Sequence, residues 1–295
     1  MDIDAVLRTA QKLNASTEAL AALGASLHIR AEHLEAPTAV GDRLDAVLAL
    51  LEVDLDALSD EECRIVLGGI RAFFSQAAAL LDAPDRPVGW VTDDTSTLQS
   101  QGRASMSVAA LLGRLSADMA DLGERLDAPG SAILDVGAGT GWLSVAFARA
   151  YPAASVVGLD VAEAPLALAR GNVVAEGLAE RVDLRRGDAT DLEDEAAFDL
   201  AWVPGPFLGR EAVPRVLAAV HRALRPGGWV LFGRYAGPDD PLAAELLALG
   251  VVRSGGCPWS TAEVEDLLLA AGFAEVHSPE RTWSAPMVFT VGRRA

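Results

Sequence analysis

The residues of this chain best suited to chemistry are Ile133-Leu134-Asp135-Val136-Gly137-Ala138-Gly139-Thr140-Gly141: an apolar run, an acid, then glycine at every second position. Glycines let a backbone turn sharply and leave room for a ligand pressed against the main chain. A dinucleotide fingerprint would read G-x-G-x-x-G, its amides and a helix N-terminus cradling pyrophosphate. Gly137, Gly139 and Gly141 instead give G-x-G-x-G behind Asp135, and an acid at that place suits a ligand carrying a cation rather than a phosphate. Two further acids follow apolar runs: Asp160 after Val156-Val157-Gly158-Leu159, and Asp188 within Gly187-Asp188-Ala189. Asp160 stands about 20 residues downstream of the glycines, where a ribose-binding acid is expected. A carboxylate accepts two hydrogen bonds at once, which suits a vicinal diol, and Asp188 could accept from an exocyclic amino group.

These residues need a scaffold that brings successive strand ends to one crevice. From Ser131 onward short β-rich runs alternate with helical stretches, the signature of a parallel sheet with crossover helices. The runs are 132–136, 155–159, 182–185, 198–203 and 229–232. Two last strands, 274–277 and 287–291, follow a helix over 261–271, and their connection is too short for a crossover, so they should pair antiparallel. Open sheets of this kind bind ligands at the carboxyl ends of their strands, where the three acids and three glycines would converge.

The first 128 residues read as helix. Val6, Leu7, Ala10 and Leu13 open one stripe, Arg43 to Leu51 forms a second helix, and Ser59 with Glu62 is a capping-box signature. The helix it opens passes Cys63, a buried and inert thiol in this reading, and runs to Leu81, with Pro84 and Pro87 beyond it. After a polar connector, Val108, Leu111, Leu112, Leu115, Met119, Leu122 and Leu126 suggest one further continuous helix. Pro129-Gly130 marks the change of grammar, so the expected domains are 1–128, all-α, and 129–295, α/β.

Composition narrows the partners. Lys and Arg total 24 against 42 Asp and Glu, a formal net charge of −18. Nucleic-acid binding needs a cationic surface, and Arg181, Arg185 and Arg186 read as a solvated strand face, so neither nucleic acid nor an anionic membrane is expected as a partner. With 51% hydrophobic residues and a mean hydropathy of +0.25 there is ample material for a core. Yet no run reaches the ~20 consecutive apolar residues of a membrane span. Two distant cysteines and no secretion-signal order at the N-terminus point to a reducing cytoplasm and to no metal site.

Taken together, the glycine turn, Asp160, Asp188 and Leu224-Arg225-Pro226-Gly227-Gly228 resemble the class I S-adenosylmethionine-dependent methyltransferases over Ser131 to Ala295. The resemblance implies a seven-stranded, mostly parallel Rossmann-like sheet of order 3-2-1-4-5-7-6 with an all-α N-terminal cap, and S-adenosylmethionine as cofactor with S-adenosylhomocysteine as product. It implies that Asp135, Gly137, Ala138, Gly139 and Gly141 line the methionine portion, Asp160 holds the ribose, Val161 packs on adenine, and Asp188 with Ala189 reads the adenine edge; Val203 joins this set. Leu98 to Ser105 looks like the segment that closes over the cofactor in many small-molecule methyltransferases, where Gln101 and Ser105, four apart on one helical face, could reach it.

The Asn-Pro-Pro-Tyr motif of amino-group methyltransferases is absent after the fourth strand, where Trp202-Val203-Pro204-Gly205-Pro206-Phe207 stands. This shifts the expectation to a small-molecule O-, C- or N-acceptor held between core and cap. No general base declares itself: His28, His33, His221 and His277 read as structural, and alignment for in-line displacement can supply much of the acceleration. Acceptor-side candidates are Trp90, Trp202, Arg234, Tyr235 and Trp259, with Asp93 and Asp94 on the same connector; for the tryptophans packing competes with stacking, and for Arg234 a surface ion pair competes with an acceptor anion. A homodimer is left open. Three other readings remain: an NAD-dependent oxidoreductase, which the glycine spacing disfavours; the same fold catalysing another reaction; and a non-catalytic partner subunit.

Overall fold

The computed structural model describes residues 2–89, 94–115 and 118–295, which fall into two units. The first comprises the chain up to Asp82 together with Gln99–Ala104; the second comprises Ala83–Leu98 and Ser105–Ala295.

The first unit holds α1 (Ile3–Ala31), α2 (Thr38–Leu50), α3 (Asp60–Asp82) and most of α4 (Thr95–Ser105). Leu27 and Ala31 of α1 bury against Cys63 and Leu67 of α3. The capping box that opens α3 forms as expected, Ser59 N and Oγ both donating to Glu62 Oε2 at 2.8 Å. Arg64 donates to Glu32 and to the Ala31 carbonyl, closing the end of α1. α3 also has the length and mean apolarity of a membrane-crossing helix. It reaches that without a long unbroken apolar run, since Arg64 and Arg71 interrupt it.

The second unit is the α/β part. The expected single helix over Val108–Leu126 is broken into α5 (Ser107–Leu115) and α6 (Leu122–Asp127). Asp121 caps α6 in a left-handed conformation, φ +57°, and its carboxylate is held by Arg125 and Arg293. Just before it, the Ala120 carbonyl accepts from Trp229 Nε1. Tertiary partners thus override a stripe that helical periodicity alone would continue.

Seven strands follow: β1 (Ala132–Val136), β2 (Ser155–Asp160), β3 (Val182–Arg186), β4 (Phe198–Pro204), β5 (Leu224–Tyr235), β6 (Ala274–His277) and β7 (Met287–Arg293). They form one sheet of order β3-β2-β1-β4-β5-β7-β6, with β7 antiparallel to both neighbours. β1 and β4 are buried along their whole length, as central parallel strands covered on both faces must be. β5 begins five residues earlier than the apolar run indicates, because Gly227 N and Gly228 O pair with Arg294, the residue just past β7. The crossovers are α7 (Trp142–Ala150), α8 (Glu163–Ala175) and α9 (Val213–Ala223). α10 (Pro241–Arg253), absent from the sequence reading, follows β5, and α11 (Thr261–Ala270) precedes β6.

At the amino edge of the sheet, Asp199 is 5% exposed. Its Oδ2 accepts from Ala132 N and from Arg225, locking β1 to β4 and β5.

Candidate functional site

β1 runs out at Val136 into a turn where Gly137, Gly139 and Gly141 have φ of +70°, +54° and +76°. Side-chain-bearing residues rarely adopt such values. A Cβ on Gly137 would lie 3.2 Å from Pro204 Cγ, and one on Gly141 3.0 Å from Ala169 Cβ, so these two glycines permit close packing against β4 and α8. At Gly139 a Cβ would meet nothing nearer than 3.9 Å; that side of the turn opens outward.

The turn is fixed by groups that sequence reasoning did not find. Thr140 Oγ1 donates to the Leu98 carbonyl, and Asn172 Nδ2 donates to the Thr140 carbonyl at 2.8 Å. Gly158 sits in the middle of β2, where a Cβ would come within 3.0 Å of Leu184, Ala138 and Ser144. A glycine inside a strand signals close approach by another backbone, and that signal was available in the sequence.

The acids occupy three different environments. Asp135 is 1% exposed. Ser144 Oγ donates to its Oδ2 at 2.5 Å, and its Oδ1 has no partner among the described residues. Burial first, with the nearby Asp160 charge adding to it against the Ser144 hydrogen bond, pushes its carboxyl up to about 7. Asp160, at the end of β2, accepts from Gly139 N at 2.8 Å through Oδ2 and from Ala162 N at 2.9 Å through Oδ1. One carboxylate therefore ties the glycine turn to the β2–α8 junction. Each oxygen still has a lone pair to offer. Asp188 is exposed and accepts from Thr190 N, capping a short 3-10 turn, Ala189–Asp191, whose first residue is buried. Between these acids Val161 is 60% exposed, an apolar side chain left open at the strand tips.

On the other side of the turn, Val203 has no exposed surface and belongs to the core. Trp202 is also buried: it lies across Gly233 and meets Phe289 edge-to-face, ring centroids 6.2 Å apart. Both side chains are packing elements of the sheet. Arg234 and Tyr235 end β5 and line a cavity of about 360 Å³ together with Trp259, Thr261 and one face of α10. Trp90 and Asp93 lie outside the described residues; Asp94 caps α4 by accepting from Thr97 N. Gln101 belongs to the first unit, where it accepts from Gln76, and Ser105 ends α4 half-buried. Of the histidines, His221 packs edge-to-face on Phe273, burial holding its imidazole below the usual value, and His33 pairs with Asp60. His28 lies in the last turn of α1 and His277 ends β6.

Comparison with known proteins gives the same region. Residues 133–228 match a family model described as "Methyltransferase domain". The chain is 40% identical over 116 residues to a ubiquinone biosynthesis O-methyltransferase of Pseudomonas paraeruginosa, covering 36% of this chain and 45% of that protein. It is 31% identical over 145 residues to a release factor glutamine methyltransferase of Gloeobacter violaceus, covering 40% and 50%. The chain thus spans about half the length of the curated relatives it matches. Along its whole length the fold resembles an O-methyltransferase family protein from Burkholderia thailandensis, with a TM-score of 0.64, 14% identity, and coverage of 100% of this chain and 98% of that one.

Proposed function

We propose that this chain is a class I S-adenosylmethionine-dependent methyltransferase that transfers a methyl group from S-adenosylmethionine to a small organic acceptor, a reading supported by its matched domain and its sheet order. The observation that carries the reading is the Asp160 carboxylate bonded to Gly139 N, which sets an acid beside a turn whose outer side is open.

The residues fit that cofactor. Asp160 would take the ribose diol, Val161 the adenine face, and Asp188 with Ala189 the adenine edge. The turn from Gly137 to Gly139 would back the methionine tail. Asp135, buried with one oxygen unpartnered, fits a neighbouring cation, since positive charge nearby favours its ionised form. Bound there, the cofactor would supply an activated methyl group on a sulfonium sulfur, for transfer to an acceptor lone pair with sulfur keeping the carbon–sulfur electron pair. The chain's own part is alignment and exclusion of water. The acceptor loses a proton to solvent or to a nearby base.

A small acceptor is supported by the absence of the Asn-Pro-Pro-Tyr motif after β4 and by the named O-methyltransferase relative. Calorimetric titration with S-adenosylmethionine, S-adenosylhomocysteine and NAD tests the cofactor. The first two should bind and the third should not; binding of NAD alone would overturn the reading. Release of S-adenosylhomocysteine across phenols, carboxylic acids, amines and a glutamine-containing peptide then tests the acceptor, and turnover confined to the peptide would sink the small-molecule assignment.

A further inference from the structure

The cavity at the end of β5 holds a cation, Arg234, that makes no ion pair within 4 Å among the described residues. Arg234 is half-buried, and burial depresses the affinity of its guanidinium for its proton. Its Nη2 donates to Thr261 Oγ1, while its Nε is buried without a partner among the described residues. Among the described residues no carboxylate lines the cavity. The acid acting on Arg234 is Glu265, which already accepts from Ser278, and the neighbouring Glu263 is taken by Ser260 and by Arg210. Arg210, a second cation near this end, is balanced by Glu263 and lies over the Trp259 ring at 4.4 Å. Trp259 is 6% exposed and lines the cavity, and its Nε1 is likewise buried without a partner among the described residues.

A guanidinium whose buried Nε has no partner among the described residues carries a desolvation cost that a bound anion would offset. The part of the lining that α10 contributes is apolar, with Ala244, Leu247 and Val251. The volume suits a one- or two-ring body.

The cavity also adjoins the candidate cofactor site. Pro206 lines it, and Pro204, two residues earlier, is the residue a Gly137 Cβ would touch. Pro204 pairs with Gly233, the neighbour of Arg234, so the glycine turn and the backbone at Arg234 are two strands apart, about 10 Å.

We propose that this cavity binds a small aromatic or alicyclic acid, its carboxylate on Arg234 and its ring against α10, and that this acid is the methyl acceptor. As an anion site the cavity stands on its own geometry; as the acceptor's site it rests on the methyltransferase reading.

The test is equilibrium binding at fixed ionic strength of benzoate, phenylacetate and 2-naphthoate, each beside its neutral amide. At least one acid should bind about 10-fold or more tighter than its amide. Arg234→Gln should bring that ratio to about one and Arg234→Lys should restore part of it. Ala248→Phe, which fills the cavity, should remove binding of both forms. Thermal unfolding of each variant checks that it is folded. Equal binding of acid and amide throughout the panel, a preference surviving in folded Arg234→Gln, or unchanged binding in folded Ala248→Phe would each overturn the site. S-Adenosylhomocysteine titrated into the wild-type protein is the separate arm: if it fails to bind while the acid preference holds, the anion site stands and the methyltransferase reading falls.

Discussion

Asp135→Asn should make the protein's stability markedly less sensitive to pH. Buried, and bonded among the described residues by Ser144 alone, the Asp135 carboxyl holds its proton up to about pH 7, against 3.8 for the free side chain. An acid whose folded value is raised contributes stability that is complete below the unfolded value and is lost as pH rises through the folded one. At 1.36 kcal/mol per tenfold change in proton affinity, the full loss from pH 4 to above pH 7 is about 4 kcal/mol. Roughly 2.5 kcal/mol of it falls between pH 5 and pH 8. Asparagine keeps the shape and can accept from Ser144 but cannot ionise, so its own cost is constant with pH. Urea unfolding of both proteins at pH 5, 6, 7 and 8 gives the comparison, with the difference in unfolding free energy moving toward the variant by about that 2.5 kcal/mol. Two parallel stability curves would refute the reasoning, because they would mean that Asp135 ionises in the folded protein as easily as in the unfolded chain.

Asp160→Ala should weaken S-adenosylhomocysteine binding by about 1.5 to 3 kcal/mol, the loss of charge-assisted hydrogen bonds, and calorimetry showing unchanged affinity would remove the ribose assignment. Gly158→Ala should cost roughly 1 to 3 kcal/mol in urea unfolding, because the added methyl meets three neighbours within 3.0 Å. A cost near zero would show that the turn against β2 can shift. Asp199→Ala strips Arg225 and Ala132 N of their shared partner and should destabilise by roughly 3 kcal/mol. Its effect on cofactor affinity should be small, since it lies at the opposite edge; a large loss of affinity with little loss of stability would contradict that division.

How much could be read in advance varied with what signals each element. β1 and β6 appear with the ends their apolar runs gave, and the antiparallel edge followed from a connection too short to cross over. α10 was not anticipated because Leu, Ala and Val surround it, leaving no amphipathic stripe to count. Its start was nevertheless marked, with Asp240 capping and Pro241 in the first turn. The break at Asp121 depends on Arg293, 172 residues away, which no local window contains. The same holds at the site. Asp160 was found by its distance from the glycines, but its hydrogen bond to Gly139 N depends on the strands pairing in register. Val203 and Trp202 were credited with the ligand side because they end β4, whereas strand alternation and the bare Gly233 beside them turn both side chains into packing.

The double duty of Asp160 limits how this pocket could be redesigned. The oxygen that would recognise a sugar is also a brace for the peptide that faces it, so lengthening, shortening or neutralising that side chain alters recognition and architecture in one stroke. Attempts to admit enlarged or modified nucleosides would do better to begin at Val161, whose exposed side chain can be trimmed without disturbing a brace.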